Sequence, residues 1–167
     1  MLDNRPMINA FLVEVFNQIL RYEEKALRRY EDGKLSVKEF HVIEAVFTGT
    51  TTGENTMGEI ARRLGVTMGT LTTAANTLEK KGFLTRIKCS RDKRSVRLFP
   101  TAMAERANAA HMAFHTRMVE AVTSQLDDEQ LSALIAVLGI LREHFHQEAD
   151  RAQTSQEEAS WPYRSEE

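Results

Sequence analysis

The stretch TMGEIARRLGVTMGTLTTAANTLEKKGFLTRIK, residues 56–88, decides the fold. Thr56 and Glu59 stand three apart just ahead of Ile60 and Leu64, the spacing of a capping box, so a short helix opens here and Gly65 stops it. A second helix starts almost at once. Thr67 is its N-cap, Leu71, Ala75 and Leu78 share one face, and Lys80, Lys81 and Gly82 end it with cations at the negative pole of the dipole and glycine just beyond. Two helices joined by about three residues with glycine in the turn make a helix-turn-helix. Beyond Gly82 the apolar period falls from 3.6 to 2, so residues 83–88 and 95–99 read as strands joined by the charged turn Ser90-Arg91-Asp92-Lys93-Arg94. That hairpin is a wing.

Working outward, residues 6–30 space Ile8, Phe11, Leu12, Val15, Phe16 and Ile19 at threes and fours, one apolar stripe of a helix. Ser36 and Glu39 cap a second helix that the pattern carries to about Phe47, and the glycine- and threonine-rich residues 48–55 read as a loop. On the other side, Pro100 and Thr101 open a long helix to about Ser124, with Met103, Ala107, Ala110, Phe114, Met118 and Val122 in step. Asp127 and Gln130 cap a last helix with Leu131, Leu134, Ile135, Leu138, Leu141 and Phe145 along one side. From Ala149 the chain is polar and aperiodic, which implies an unstructured tail.

The expected fold is therefore mainly α: a winged helix-turn-helix with long N- and C-terminal dimerisation helices. Residues 1–35 form the N-terminal dimerisation helix, 36–100 the DNA-binding domain, 101–148 the C-terminal dimerisation helices and 149–167 the tail. Dimerisation follows because the terminal helices carry more apolar surface than so small a reading head can cover, and two copies cover each other. Two-fold symmetry then sets two recognition helices about one DNA turn apart on a pseudo-palindromic operator.

Composition excludes several classes. No apolar run approaches the ~18 residues of a membrane span, and Asp3 and Asn4 do not fit a secretory signal, so a cytoplasmic protein without a membrane partner is expected. The single cysteine, Cys89, rules out an internal disulfide; between Lys88 and Arg91 it could be redox-active, but a wing-strand thiol with no resolving partner is ordinarily inert. Net charge is −2, yet residues 62–97 hold ten cations against two anions, +8, leaving the rest at −10. Such segregation is the footprint of a module that neutralises phosphates.

With Leu71, Ala75 and Leu78 turned inward, the 100° step of the helix turns Gly69, Thr72, Thr73, Asn76 and Lys80 outward, a small hydrogen-bonding face suited to base edges. Thr67 and Met68 start that helix, and Arg91, Lys93 and Arg94 at the wing tip can reach a minor groove while Asp92 buttresses the turn. An enzyme is not expected, because no phosphate loop, nucleophile elbow or cysteine-histidine spacing occurs. The competing class is a winged-helix protein-interaction module, against which the charge segregation speaks.

Met57-Gly58-Glu59-Ile60-Ala61-Arg62-Arg63-Leu64-Gly65-Val66, Leu78-Glu79-Lys80-Lys81-Gly82-Phe83-Leu84 and Asp92-Lys93-Arg94 resemble the MarR family of bacterial regulators, over about residues 9–145. The resemblance implies a homodimer joined through its terminal helices, with Arg94 in the minor groove and Asp92 orienting the wing turn. Thr67-Met68-Gly69-Thr70-Leu71-Thr72-Thr73 with Asn76 is most similar to the family's repressors of fatty-acid synthesis genes. That implies a repressor controlling lipid synthesis genes in response to an acyl chain or an acylated carrier protein, with no cofactor required. Glu24, His41 and the i, i+4 pair His111 and His115 could instead converge on zinc, as in zinc-responsive members of the family. Polar residues packed at the junction of dimer helices and reading head are the alternative reading of that quartet.

Overall fold

The computed structural model describes residues 4–28, 30, 34–89 and 95–159. Its elements follow in the order α1 (Arg5–Leu27), α2 (Val37–Thr52), α3 (Met57–Leu64), α4 (Met68–Lys80), β1 (Leu84–Lys88), β2 (Val96–Pro100), α5 (Ala102–Thr123) and α6 (Asp128–Ala159). This is the winged helix-turn-helix with long terminal helices that the pattern implies.

Side chains set the boundaries. Glu39 closes the α2 capping box on Ser36, and Glu59 closes that of α3 on Thr56. Gly65 ends α3 at φ 63°, and the Thr67 hydroxyl accepts from the Thr70 amide to open α4. At the far end of α4, Gly82 takes φ 82°, its amide donating to Glu79 and the Phe83 amide to Leu78, the paired bonds of a Schellman motif.

Two stretches differ from expectation. Residues 48–52 continue α2 rather than forming a loop, and the hydroxyls of Thr48, Thr50, Thr51 and Thr52 are accommodated by each donating to the carbonyl four residues back. Gly53 then turns the chain at φ 80°. Gly49 is buried in this helix because a Cβ there would sit 2.5 Å from the Glu54 carbonyl oxygen and 2.7 Å from the Ile60 side chain. Likewise α6 runs on to Ala159 instead of yielding an unstructured tail at Ala149. Its polar end lacks a stripe but is built of good helix formers, with Gln147 bonding to Glu143 and Arg151 to Glu148 along the helix. Residues 160–167 lie outside the described ones.

In the wing β1 and β2 pair antiparallel from Leu84 with Pro100 to Lys88 with Val96. A short third edge joins them: Thr56 bridges Arg97, and the Leu98 amide donates to the Asn55 carbonyl at 2.9 Å. The chain divides into two compact units, residues 1–118 and 119–167. The core of the first gathers Phe40, Ile43, Val46, Ile60, Leu71, Leu78, Phe83, Leu84 and Leu98, together with Ala104, Ala107 and Phe114 from α5. In the second, Asp127 and Gln130 exchange backbone-to-side-chain bonds at 3.1 and 2.8 Å to open α6, which leaves Ile135, Leu138, Ile140 and Phe145 exposed. No described helix is long and apolar enough to cross a membrane.

Candidate nucleic-acid interface and the histidine cluster

Leu71, Ala75 and Leu78 are fully buried and seat α4 on the core, so its other face is left to solvent. Thr67, Met68, Gly69, Thr73, Asn76 and Lys80 are exposed there, whereas Thr72 is half-buried. The hydroxyls of Thr72 and Thr73 donate to the carbonyls of Met68 and Gly69 at 2.7 and 3.1 Å. That fixes the side chains with a methyl and an oxygen acceptor free, while Asn76 keeps a whole amide for an outside partner.

Three supports of this surface have little signal in the sequence pattern. Arg86 on β1 donates to the Thr72 carbonyl at 3.3 Å and approaches Glu79 at 3.6 Å, bracing the recognition helix from the wing. Asn55 is buried with its amide donating to the Leu98 carbonyl at 2.9 Å and its oxygen accepting from Arg97 at 2.6 Å, which ties the wing to the α2–α3 connection. Lys81 donates to the Lys34 carbonyl at 2.6 Å and to Glu39 at 2.7 Å. In the sequence pattern Glu39 is legible only through its capping box with Ser36, and Arg86 and Arg97 only as charge. The wing-tip residues Arg91, Asp92, Lys93 and Arg94 lie outside the described residues, but the Cys89 amide donates to the Ser95 carbonyl at 2.9 Å and closes the hairpin ends on them.

At a second place, four side chains from three helices converge: Glu23 of α1, His41 of α2, and His111 and His115 of α5. His111 Nε2 lies 2.8 Å from Glu23 Oε1 and 2.9 Å from His115 Nε2, and His41 Nε2 lies 3.1 Å from the same carboxylate oxygen. One ligand atom from each of these residues falls within 4.8 Å of every other. The carboxylate is Glu23, not Glu24: Glu23 is 2% exposed, whereas the Glu24 side chain is 60% exposed and paired to Arg28 at 2.7 Å. A 100° helical step separates the two, and the buried Leu27 four residues after Glu23 marks the inward face. Burial, partly opposed by Glu23, lowers the pKa of His111, so its imidazole stays neutral with a lone pair to offer. Its Nδ1 is 3.4 Å from Glu44 without making a hydrogen bond.

A cavity of about 730 Å³ opens beside His41, between the end of α1 and the start of α2. Leu20, Leu27 and Leu35 supply its apolar lining, with Arg28, Lys38 and Lys81 and the carboxylates of Glu24 and Glu39 in its charged part.

The MarR family model matches residues 35–96. The structure of Streptococcus pneumoniae FabT in complex with DNA is 30% identical, covering 86% of this chain and 98% of FabT at a TM-score of 0.78. This chain belongs to the MarR family. Two further structures share the fold: the S. aureus MepR–DNA complex, 17% identical over 86% of this chain and 99% of MepR at a TM-score of 0.71, and BldR from Sulfolobus solfataricus, 22% identical over 82% and 96% at 0.58. The comparison with curated proteins gave no match. As a MarR-family member the chain is a DNA-binding transcription regulator and not an enzyme.

Proposed function

We propose that this regulator works as a homodimeric repressor, setting two α4 helices in successive major grooves of a pseudo-palindromic operator in double-stranded DNA. The observation that carries the reading is the outward face of α4, polar and small above a buried apolar seat. Thr67, Met68, Gly69, Thr72, Thr73, Asn76 and Lys80 contact the major groove; Arg91, Lys93 and Arg94 enter the minor groove, with Asp92 holding the turn. Residues 36–100 are the reading domain, and the helices in 1–35 and 101–148 form the dimer frame. Exposed Ile8, Phe11 and Phe16 on α1, and Ile135, Leu138 and Phe145 on α6, support the dimer, since faces this apolar ordinarily lie against a partner. A gel shift of the full chain on random and promoter DNA across a salt series tests the reading. Binding that weakens steeply with salt is expected; no binding at low salt, or no salt dependence, overturns it.

The effector of this regulator is an acyl chain, free or on a carrier protein, and its targets are lipid synthesis genes. The resemblance of the 67–76 segment to fatty-acid repressors supports this, as does a cavity lined by Leu20, Leu27 and Leu35 together with charged side chains of both signs. A second reading rests on the histidine cluster. The donor set suits zinc: a tetrahedral site has donors about 3.3 Å apart, and four of the separations here are 2.8, 2.9, 3.1 and 3.7 Å, with every donor within 4.8 Å of the others. One His111 nitrogen facing both a carboxylate and a second imidazole is also a set that a cation satisfies better than one proton. Glu23, His41, His111 and His115 would hold the ion, which would cross-link α1, α2 and α5. Native mass spectrometry separates the two effectors. Zinc retained by the wild type and lost in His111→Ala supports the metal; no zinc after exposure, with DNA response unchanged in His111→Ala, rejects it.

A further inference from the structure

Lys81 stands at the C-cap of α4, the end of the recognition helix farthest from Thr67. Its ammonium meets the Lys34 carbonyl, in the turn that leads from α1 into α2, and Glu39 Oε1. The other oxygen of that carboxylate, Oε2, accepts from the Ser36 amide and hydroxyl at 2.8 and 3.0 Å. One carboxylate therefore holds the N-terminus of α2 with one oxygen and the C-terminus of the recognition helix with the other. The Glu39 side chain is 12% exposed and that of Lys81 34%, so the carboxylate is largely covered while the ammonium reaches it from the surface.

We propose that Lys81 is a positioning residue that fixes the direction of the recognition helix relative to the start of α2, and through it the spacing of operator half-sites the protein accepts. This rests on the homodimeric reading above. At about 1.5 Å per residue a helix of this length is a lever of roughly 20 Å, so a swing of about 10° at the latched end moves the reading end by roughly 3 Å, about one base-pair step. The Lys81 ammonium is turned to Lys34 and Glu39, apart from the outward face of Gly69, Thr72, Thr73, Asn76 and Lys80. Its effect reaches DNA only through the angle of α4.

The test uses the full chain and its own operator, enriched from random DNA, alongside versions with one central base pair inserted or deleted. Wild type should lose roughly tenfold or more in affinity on either altered spacing, because two rigid heads cannot both stay in register. Lys81→Met should narrow that difference to about twofold to threefold, while Lys81→Arg restores it. Glu39→Gln removes the charge but keeps a capping-box acceptor, so it isolates the latch from the helix cap and should act like Lys81→Met. A purely structural role lowers affinity for all three operators alike and leaves their ratio unchanged. An unchanged ratio in both folded variants overturns the proposal. A wild type indifferent to spacing contradicts the homodimeric reading itself and the latch with it, a result distinct from failure of the latch alone.

Discussion

His111 is neutral because burial penalises its charge more than the adjacent Glu23 favours it, and the nearby His115 adds to the depression. In the unfolded chain it takes a proton near the usual histidine value, about 6.5. The unfolded state thus binds more protons below that pH, so stability is full above it and falls as pH drops toward the lower folded value. Urea midpoints measured from pH 7.5 to 5 should show this slope, and His111→Leu should flatten it. Glu39 and Glu59 titrate in the acid limb. Burial opposes the ionised form of Glu39, but its bonds from Lys81 and Ser36 together outweigh that and lower its pKa; Glu59 is lowered by its Thr56 bonds, then by Arg97 and Arg62. Their contribution is present above the ordinary glutamate value of about 4.3 and lost as pH falls through the folded values. The Glu39→Gln, Glu59→Gln double variant should lose stability less steeply below pH 4 than wild type. The choice of Glu23 over its neighbour Glu24 shows the limit of reading at this scale: two adjacent carboxylates carry the same chemistry, and only the packing of α1 turns one inward.

Among the elements, α4 was fully legible, since its cap, apolar face and glycine stop all agree locally, and Leu71, Ala75 and Leu78 are buried as the spacing requires. Removing that seat should matter most: Leu71→Ala should cost about 2–5 kcal/mol in chemical denaturation and weaken DNA binding with it. The end of α2 was not legible, because threonines that favour loops instead bond back along the helix, and a glycine that looks like a breaker is needed for close approach. Gly49→Ala should accordingly destabilise by about 1–3 kcal/mol, although alanine is the better helix former in isolation. The third edge of the wing was also hidden, for Asn55 sits among turn residues and its partners lie 43 and 42 positions away. Asn55→Ala would orphan the Leu98 carbonyl and leave the Arg97 guanidinium only its Gly53 carbonyl partner, costing about 1–3 kcal/mol by thermal melt.

At the scale of the molecule, the +8 segment and the apolar terminal helices could be read from sequence because charge and period survive without tertiary knowledge. The convergence of α1, α2 and α5 on one histidine cluster could be guessed only as a quartet with one member misplaced. On the homodimeric reading proposed above, replacing exposed apolar residues of the terminal helices, Phe16→Glu with Ile135→Glu, should shift the chain to monomer in sedimentation equilibrium and abolish cooperative binding to paired half-sites. The central claim is that two copies read a two-fold site through α4. Sequencing of random DNA fragments bound by the wild type and by Asn76→Ala tests it most directly. The expected result is an inverted repeat whose half-sites are centred about one helical turn apart, with base preference lost in Asn76→Ala at matching positions of both halves. Recovery of a single unpaired site, or of the same preferences from both proteins, would contradict it.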